Sequence, residues 1–194
     1  MAIKIVTMIG DNYGSALQAY ALQHTIKTIG GKKTSTIVLK PKSYLIRFIR
    51  TYLIPTKYDG IGKKIKRAQA DFANRNKRKK VMHFWDSKIS LEKVKRLEDI
   101  IPKDSTSVIF VCGSDQIWNP QFQPNTLFYL DFPKKEKCMR FSYAASVAVE
   151  ELTSNQIEYF GSKLDSFNCI SVREETGKRL LEKVLNKPVR IMSI

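Results

Sequence analysis

Val108 to Gly113 reads Val-Ile-Phe-Val-Cys-Gly, with no polar residue in the run. A strand with one face in water alternates apolar and polar side chains. A uniform run this short predicts a strand covered on both faces, the situation of a parallel sheet between helices. A second, mostly apolar run, Ile3 to Ile9, ends at Gly10 and passes through Asp11-Asn12-Tyr13-Gly14 into Ser15 to Ile29. There Ala19, Leu22, Ile26 and Ile29 recur at helical spacing and are expected to face the sheet, with Gly30-Gly31 as the stop. Thr34 to Leu39, rich in β-branched residues, then predicts a strand that completes a βαβ unit.

Residues 40 to 103 interrupt this rhythm. They are helix-compatible and basic, with Pro41 and Pro55 early and Phe72, Phe84 and Trp85 later, and read as a helical insertion. After Gly113 the alternation resumes. Arg140 to Ala145 is an expected strand, Thr153-Ser154-Asn155-Gln156 a capping box that opens a helix to about Asp165, and Cys169 to Val172 another strand. Glu174 to Leu185 is an expected helix ending at Asn186, and Pro188 to Met192 a last strand. The fold class predicted is α/β: one Rossmann-like domain over residues 1–194, a parallel sheet with helices on both faces, carrying the basic helical insertion at about 40–103.

Charge narrows the function classes. The chain holds 34 Lys and Arg against 18 Asp and Glu, and residues 40–103 contribute 19 of the former and 6 of the latter, so the excess is local. Such a segment suits nucleic acid, an anionic membrane surface or anionic small molecules. Tyr44-Leu45-Ile46-Arg47-Phe48-Ile49-Arg50 is suited to lie on an anionic bilayer. Lys and Arg break every apolar stretch short of a membrane span, and the opening residues lack a signal-peptide pattern. A cytoplasmic protein is expected, with peripheral contact at the inner face of the membrane as its one link to lipid. Cys112, Cys138 and Cys169 are scattered, form no C-x-x-C pair and are expected to be buried thiols, and no spacing suggests a metal site.

Ligands of open parallel sheets bind beyond the carboxyl ends of the strands, which directs attention to four turns. Gly10 to Ser15 can offer backbone N–H groups at a helix start to an anion, or be a plain turn. Gly113-Ser114-Asp115-Gln116-Ile117-Trp118-Asn119 places polar side chains and an indole directly after a buried strand. Asp115 can orient or deprotonate a sugar hydroxyl, Gln116 can hydrogen-bond it, and Trp118 can stack on a ring. In the alternative, Ser114 and Asp115 are helix caps and Trp118 belongs to the core. Tyr143-Ala144-Ala145-Ser146 admits close approach of a ligand or close packing of a helix. Ser171-Val172-Arg173-Glu174 puts Arg173 before a helix, where it can hold a carboxylate or phosphate or pair with a glutamate. His24 and His83 sit in helical stretches and suggest no chemistry.

Together these turns resemble the polysaccharide pyruvyl transferase family. Its N-terminal half runs from an Asn-x-Gly loop into an Ala-Leu-Gln-Ala-Tyr-Ala-Leu helix, here Asn12-Tyr13-Gly14-Ser15 followed by Ala16 to Leu22. The likeness continues through Gly113 to Asn119, Phe128-Tyr129-Leu130-Asp131-Phe132, Arg140 to Ser146 and Ser171 to Gly177. It implies the N-terminal half of a GT-B-like two-domain transferase, with a second Rossmann-like domain expected beyond this chain or in a separate C-terminal half. It also implies transfer of a pyruvyl group from phosphoenolpyruvate, a donor substrate rather than a cofactor, to two hydroxyls of a glycan or lipid-linked sugar. The setting implied is the building of exopolysaccharide, capsule or cell-wall glycan, without a metal. On that resemblance Asp115 is the catalytic candidate, Arg173 the candidate for the donor's phosphate or carboxylate, and Asn12, Gly14, Ser114, Gln116 and Trp118 the residues that shape the substrate site. Two other classes compete: a non-catalytic domain of glycan assembly, and a nucleic-acid-binding module supported by the basic segment but by no nucleic-acid motif.

Overall fold

The computed structural model describes residues 2–10, 12–30, 32–39, 69–70, 72–100, 107–121, 126–132 and 138–192. Most of the basic segment, including Tyr44 to Arg50, lies outside the described residues. Strands β1 (Ala2–Val6), β2 (Thr34–Leu39), β3 (Leu91–Val94), β4 (Val108–Gly113) and β5 (Cys138–Tyr143) form a parallel sheet in the order β3-β2-β1-β4-β5. A parallel pair, β6 (Ser171–Val172) and β7 (Arg190–Ile191), extends it: single parallel bridges join Phe141 to Cys169 and Ala145 to Val172. This is the strand order of a Rossmann-like fold, reversing direction between β1 and β4.

Among the described residues the sheet is flanked by the α-helices α1 (Tyr13–Gly30), α2 (Arg75–Lys88), α3 (Ser154–Leu164) and α4 (Glu175–Leu185). The register aligns Val6, Phe110 and Cys112 on one face, where they pack with Trp118, Tyr129, Phe160 and Leu164 and with Leu181 of α4. α1 and α2 meet each other through Ala16, Ala19, Val81 and Trp85, with Ile89 just beyond α2. On the face of Val6 and Phe110 β4 is fully buried, whereas Ile109 and Val111 on the other face are half-buried, so the expected cover on both faces is only partly met.

Local signals set the boundaries. Thr153 and Gln156 form the expected reciprocal capping box of α3, and Asn186 ends α4 in the left-handed conformation at φ 48°. α1 departs from expectation at its end. Ile29 is 82% exposed, and the buried stripe is Ala16, Ala19, Leu22 and Gln23. The Gln23 carboxamide donates to Thr36 Oγ1 (2.9 Å) and to the Ser90 carbonyl (3.1 Å), and accepts from the Ser90 N–H (2.7 Å). A polar residue can be buried here because it makes three hydrogen bonds, to Thr36 and Ser90.

The segment read as a helical insertion is not helical throughout. Leu91–Val94 is the edge strand β3, paired with β2 from Thr36↔Leu91 to Leu39↔Val94. Its Leu-Glu-Lys-Val sequence gives no apolar run. What holds Glu92 in the sheet is an ion pair with the buried Lys4 of β1 and a 2.6 Å bond from Ser35 Oγ of β2. A charge on an interior strand thus selects a charge on the edge strand, a tertiary pairing that local pattern cannot reveal. Cys112 is fully buried, and burial pushes its thiol pKa far up; Cys138 and Cys169 are half-buried. No helix among the described residues is long and apolar enough to cross a membrane.

Candidate functional site

The reversal between β1 and β4 opens a crevice at the carboxyl ends of the strands, and the turns singled out in the sequence converge there. After β1, the Trp85 indole of α2 donates to the Gly10 carbonyl (3.1 Å) and fixes the exit of the strand. Asn12 then starts α1. Its side-chain oxygen accepts from the Gly14 N–H (2.9 Å), and its carbonyl accepts from the Ala16 N–H (3.1 Å). Asn12 is thus occupied as a helix cap, and a methyl group on Gly14 would meet the Asn12 side-chain oxygen at 3.4 Å, a van der Waals contact. One turn on, Ser15 Oγ donates to Asp115 Oδ2 at 2.6 Å.

That bond joins the β1 exit to the β4 exit across the crevice. Asp115 is half-buried, and its other oxygen accepts from the Gln116 N–H (2.7 Å), so its carboxylate is held by a donor on each side. The turn that presents it needs unusual backbone. Gly113 adopts φ 137° and Ser114 φ 57°, and a side chain at Gly113 would put its Cβ 2.1 Å from the Tyr143 carbonyl oxygen of β5. Ser114 is 3% exposed, and its hydroxyl has no hydrogen-bond partner. Gln116 accepts from Asn119 Nδ2 (3.2 Å) and steadies the turn.

The β5 exit is stitched to the same turn. The Ser146 N–H donates to the Asp115 carbonyl (3.0 Å), the Trp118 N–H donates to the Ser146 carbonyl (3.2 Å), and Ser146 Oγ donates to Glu174 Oε1. Glu174 stands at the N-cap position of α4 without a side-chain bond to the helix, leaves Oε2 buried without a partner, and holds the Arg173 guanidinium at 3.5 Å through Oε1. The Arg173 N–H donates to the Ala145 carbonyl (3.1 Å). A polar row, Ser15, Asp115, Ser146, Glu174 and Arg173, therefore crosses the ends of β1, β4, β5 and β6.

Of the residues expected from sequence, Asn12, Gly14, Ser114, Asp115 and Gln116 gather at the first crevice, and Arg173 stands at the far end of the row. Trp118 does not join them. Its indole is fully buried, donates to the Phe128 carbonyl (3.1 Å), stacks on Tyr129 and meets Phe167 edge-on, so no face is left for a sugar ring. An indole with an available carbonyl partner gains more from burial than from exposure, which is why the core reading prevails. His24 is exposed against Tyr20 and His83 is exposed on α2, both outside the row. Sequence reasoning missed Ser15, Ser146 and Glu174 as members of the site. Their only sequence signal is position, each lying within a few residues of a strand end or at a helix start. Such a row can hold a hydroxylated ligand at a fixed carboxylate and an anion at the guanidinium.

The model of the polysaccharide pyruvyl transferase family matches residues 12–192, nearly the whole chain, and the chain belongs to that family. Neither a curated protein nor a solved structure matches it.

Proposed function

We propose that this member of the polysaccharide pyruvyl transferase family transfers a pyruvyl group from phosphoenolpyruvate to a pair of hydroxyls on a glycan, with Asp115 serving the acceptor and Arg173 the donor. The observation that carries the reading is the Asp115 carboxylate, fixed by Ser15 and Gln116 at the switch of the sheet and linked through Ser146 to the Arg173 end. The chemistry asks for these parts. A proton adds to the methylene carbon of the enol, and the cationic carbon beside the carboxylate is captured by a sugar hydroxyl whose proton passes to a base. A second hydroxyl then displaces phosphate, and its proton leaves with that group. Asp115 is the base at the acceptor hydroxyl, and Arg173 offsets charge on the phosphate or carboxylate. The general acid is expected from a second Rossmann-like half, on the same or another polypeptide.

Phosphate release from phosphoenolpyruvate, measured with glycan and lipid-linked sugar acceptors, tests the proposal. It is run with the chain alone and with a folded second-half polypeptide. Acceptor-dependent release together with a ketal product supports it; no release in either arrangement sinks it. The competing nucleic-acid reading draws on α2, which exposes Arg75, Lys77, Lys79 and Lys80, with Phe72 77% exposed just before it. Filter binding at two salt concentrations separates the two readings, because phosphate contacts weaken steeply with salt.

A further inference from the structure

A helix gains most from a short polar side chain at its start, one that accepts from the N–H groups of the first turn. α4 begins on Glu174, whose side chain makes no such bond. Glutamate is one methylene longer than the aspartate that caps well, and here the extra length carries the carboxyl group past the helix. Oε1 accepts from Ser146 Oγ, beyond the end of β5, and lies 3.5 Å from Arg173 Nη2. Oε2 is buried and has no hydrogen-bond partner. A Cβ built on Gly177 would lie 3.4 Å from Oε2, 3.5 Å from Val147 Cγ2 and 3.7 Å from Val172 Cβ, so this oxygen rests where α4 has a bare glycine, close to two valines.

Burying a carboxylate oxygen with no donor costs stability. The dipole of α4 favours negative charge at this end, but it does not ask for that geometry. The folding of α4 therefore leaves the arrangement unexplained, and what the carboxylate holds is Ser146 and Arg173. Ser146 is fully buried, and its backbone N–H and carbonyl are both tied to the Asp115 turn, so Oε1 stands on a fixed support. Arg173 is half-buried, and among the described residues its guanidinium has Glu174 as its ionic neighbour. A guanidinium is a fork of several N–H donors, and contact through one nitrogen leaves the rest of the fork for an anion. An unheld arginine side chain spreads over many rotamers, and a carboxylate at its flank removes that freedom before a ligand arrives.

We infer that Glu174 is a positioning residue, which holds the Arg173 guanidinium in the orientation that receives the donor's phosphate or carboxylate. The inference rests on the donor-binding reading of Arg173. It also fixes the sign of an effect that charge alone would reverse. A carboxylate beside an anion site repels the anion, so a Glu174 acting through its charge alone would weaken donor binding, and its neutralisation would tighten it.

Calorimetric titration of the full chain with phosphoenolpyruvate, in wild type, Arg173→Ala, Glu174→Asp and Glu174→Gln, tests it. Glu174→Asp keeps the charge and gains the better helix cap but loses the reach, and is expected to weaken binding by about tenfold. Glu174→Gln keeps the reach and loses the charge, and is expected to weaken binding by about threefold. Wild-type or tighter binding in either variant, shown to be folded by a cooperative melt, overturns the inference. In the transfer assay with a second-half polypeptide, the loss should fall on KM for phosphoenolpyruvate. An equal rise in KM for the acceptor marks a general distortion of the crevice and also overturns it. Arg173→Ala separates the two readings. If it binds as wild type does, or if neither binds, the donor reading fails and takes the inference with it. If it loses binding while both Glu174 variants keep the wild-type affinity, the inference alone fails.

Discussion

Gly113→Ala is expected to be among the most damaging single-methyl additions to this chain. The glycine ends β4 at φ 137°, a region in which an L side chain is strained by about 1–3 kcal/mol. The new Cβ would lie 2.1 Å from the Tyr143 carbonyl oxygen, 2.9 Å from its carbon and 3.1 Å from its nitrogen, all backbone atoms of the neighbouring strand. No rotamer change relieves this contact, so β4 and β5 must separate at their carboxyl ends. Separation breaks the 2.7 Å bond from the Ser114 N–H to the Tyr143 carbonyl, worth about 1 kcal/mol. Steric overlap of this kind in packed structure typically adds about 1–3 kcal/mol. A loss of about 3–7 kcal/mol follows, and at about 2–4 °C per kcal/mol for a chain of this size the melting temperature should drop by roughly 6 °C or more. Circular dichroism melts of wild type and variant measure it. A fall of less than about 2 °C would refute the claim that backbone, rather than a yielding side chain, occupies the space beside Gly113.

Asp115→Asn should lower kcat by about 10²- to 10⁴-fold with little change in melting temperature, the signature of a lost proton acceptor; rates within threefold of wild type exclude that role. Ser15→Ala removes one of the two donors that orient the carboxylate and should cost about tenfold in kcat/KM, partly restored by Ser15→Thr, if the 2.6 Å bond positions Asp115. Burial raises the Cys112 thiol pKa above its ordinary value of 9.0, so the native state keeps a proton that the unfolded state gives up. The associated stability is intact below about pH 9 and is lost as pH rises above it, at up to about 1.4 kcal/mol per pH unit. Urea midpoints at pH 8 and pH 10 should show this slope flattened in Cys112→Val, and an unchanged slope refutes it. Thiol labelling of the native protein should spare Cys112 and reach the half-buried Cys138 and Cys169.

The strands were legible where an apolar run stood out, as in Val108 to Gly113, although one face of it is only half-buried, and the helices where caps carried their own chemistry, as in Thr153 with Gln156 and Asn186 after α4. β3 was not legible, because Leu-Glu-Lys-Val becomes a strand through Glu92 meeting Lys4 and Ser35 from strands far away in sequence. The same distinction divides the site. Asp115 and Arg173 stand out locally as polar residues at strand ends. Ser15 and Ser146 act only through partners about a hundred and about thirty residues away, Asp115 and Glu174 respectively, and a serine alone does not announce such a partner. Trp118 shows the opposite case, a residue conspicuous in sequence whose indole found its hydrogen bond inside the core.

The polar row has a length as well as a chemistry. Strands in a sheet stand about 4.8 Å apart, so the ends of β4 and β6, with β5 between them, are about 10 Å from one another. Under the proposed roles, a small anion at the Arg173 end and a hydroxyl on Asp115 are neighbours only if the acceptor reaches across Ser146. Selection along such a row would then depend on where a hydroxyl pair falls on the sugar, in the way a gauge reads position, and two acceptors of equal affinity but different linkage would be told apart by reach alone.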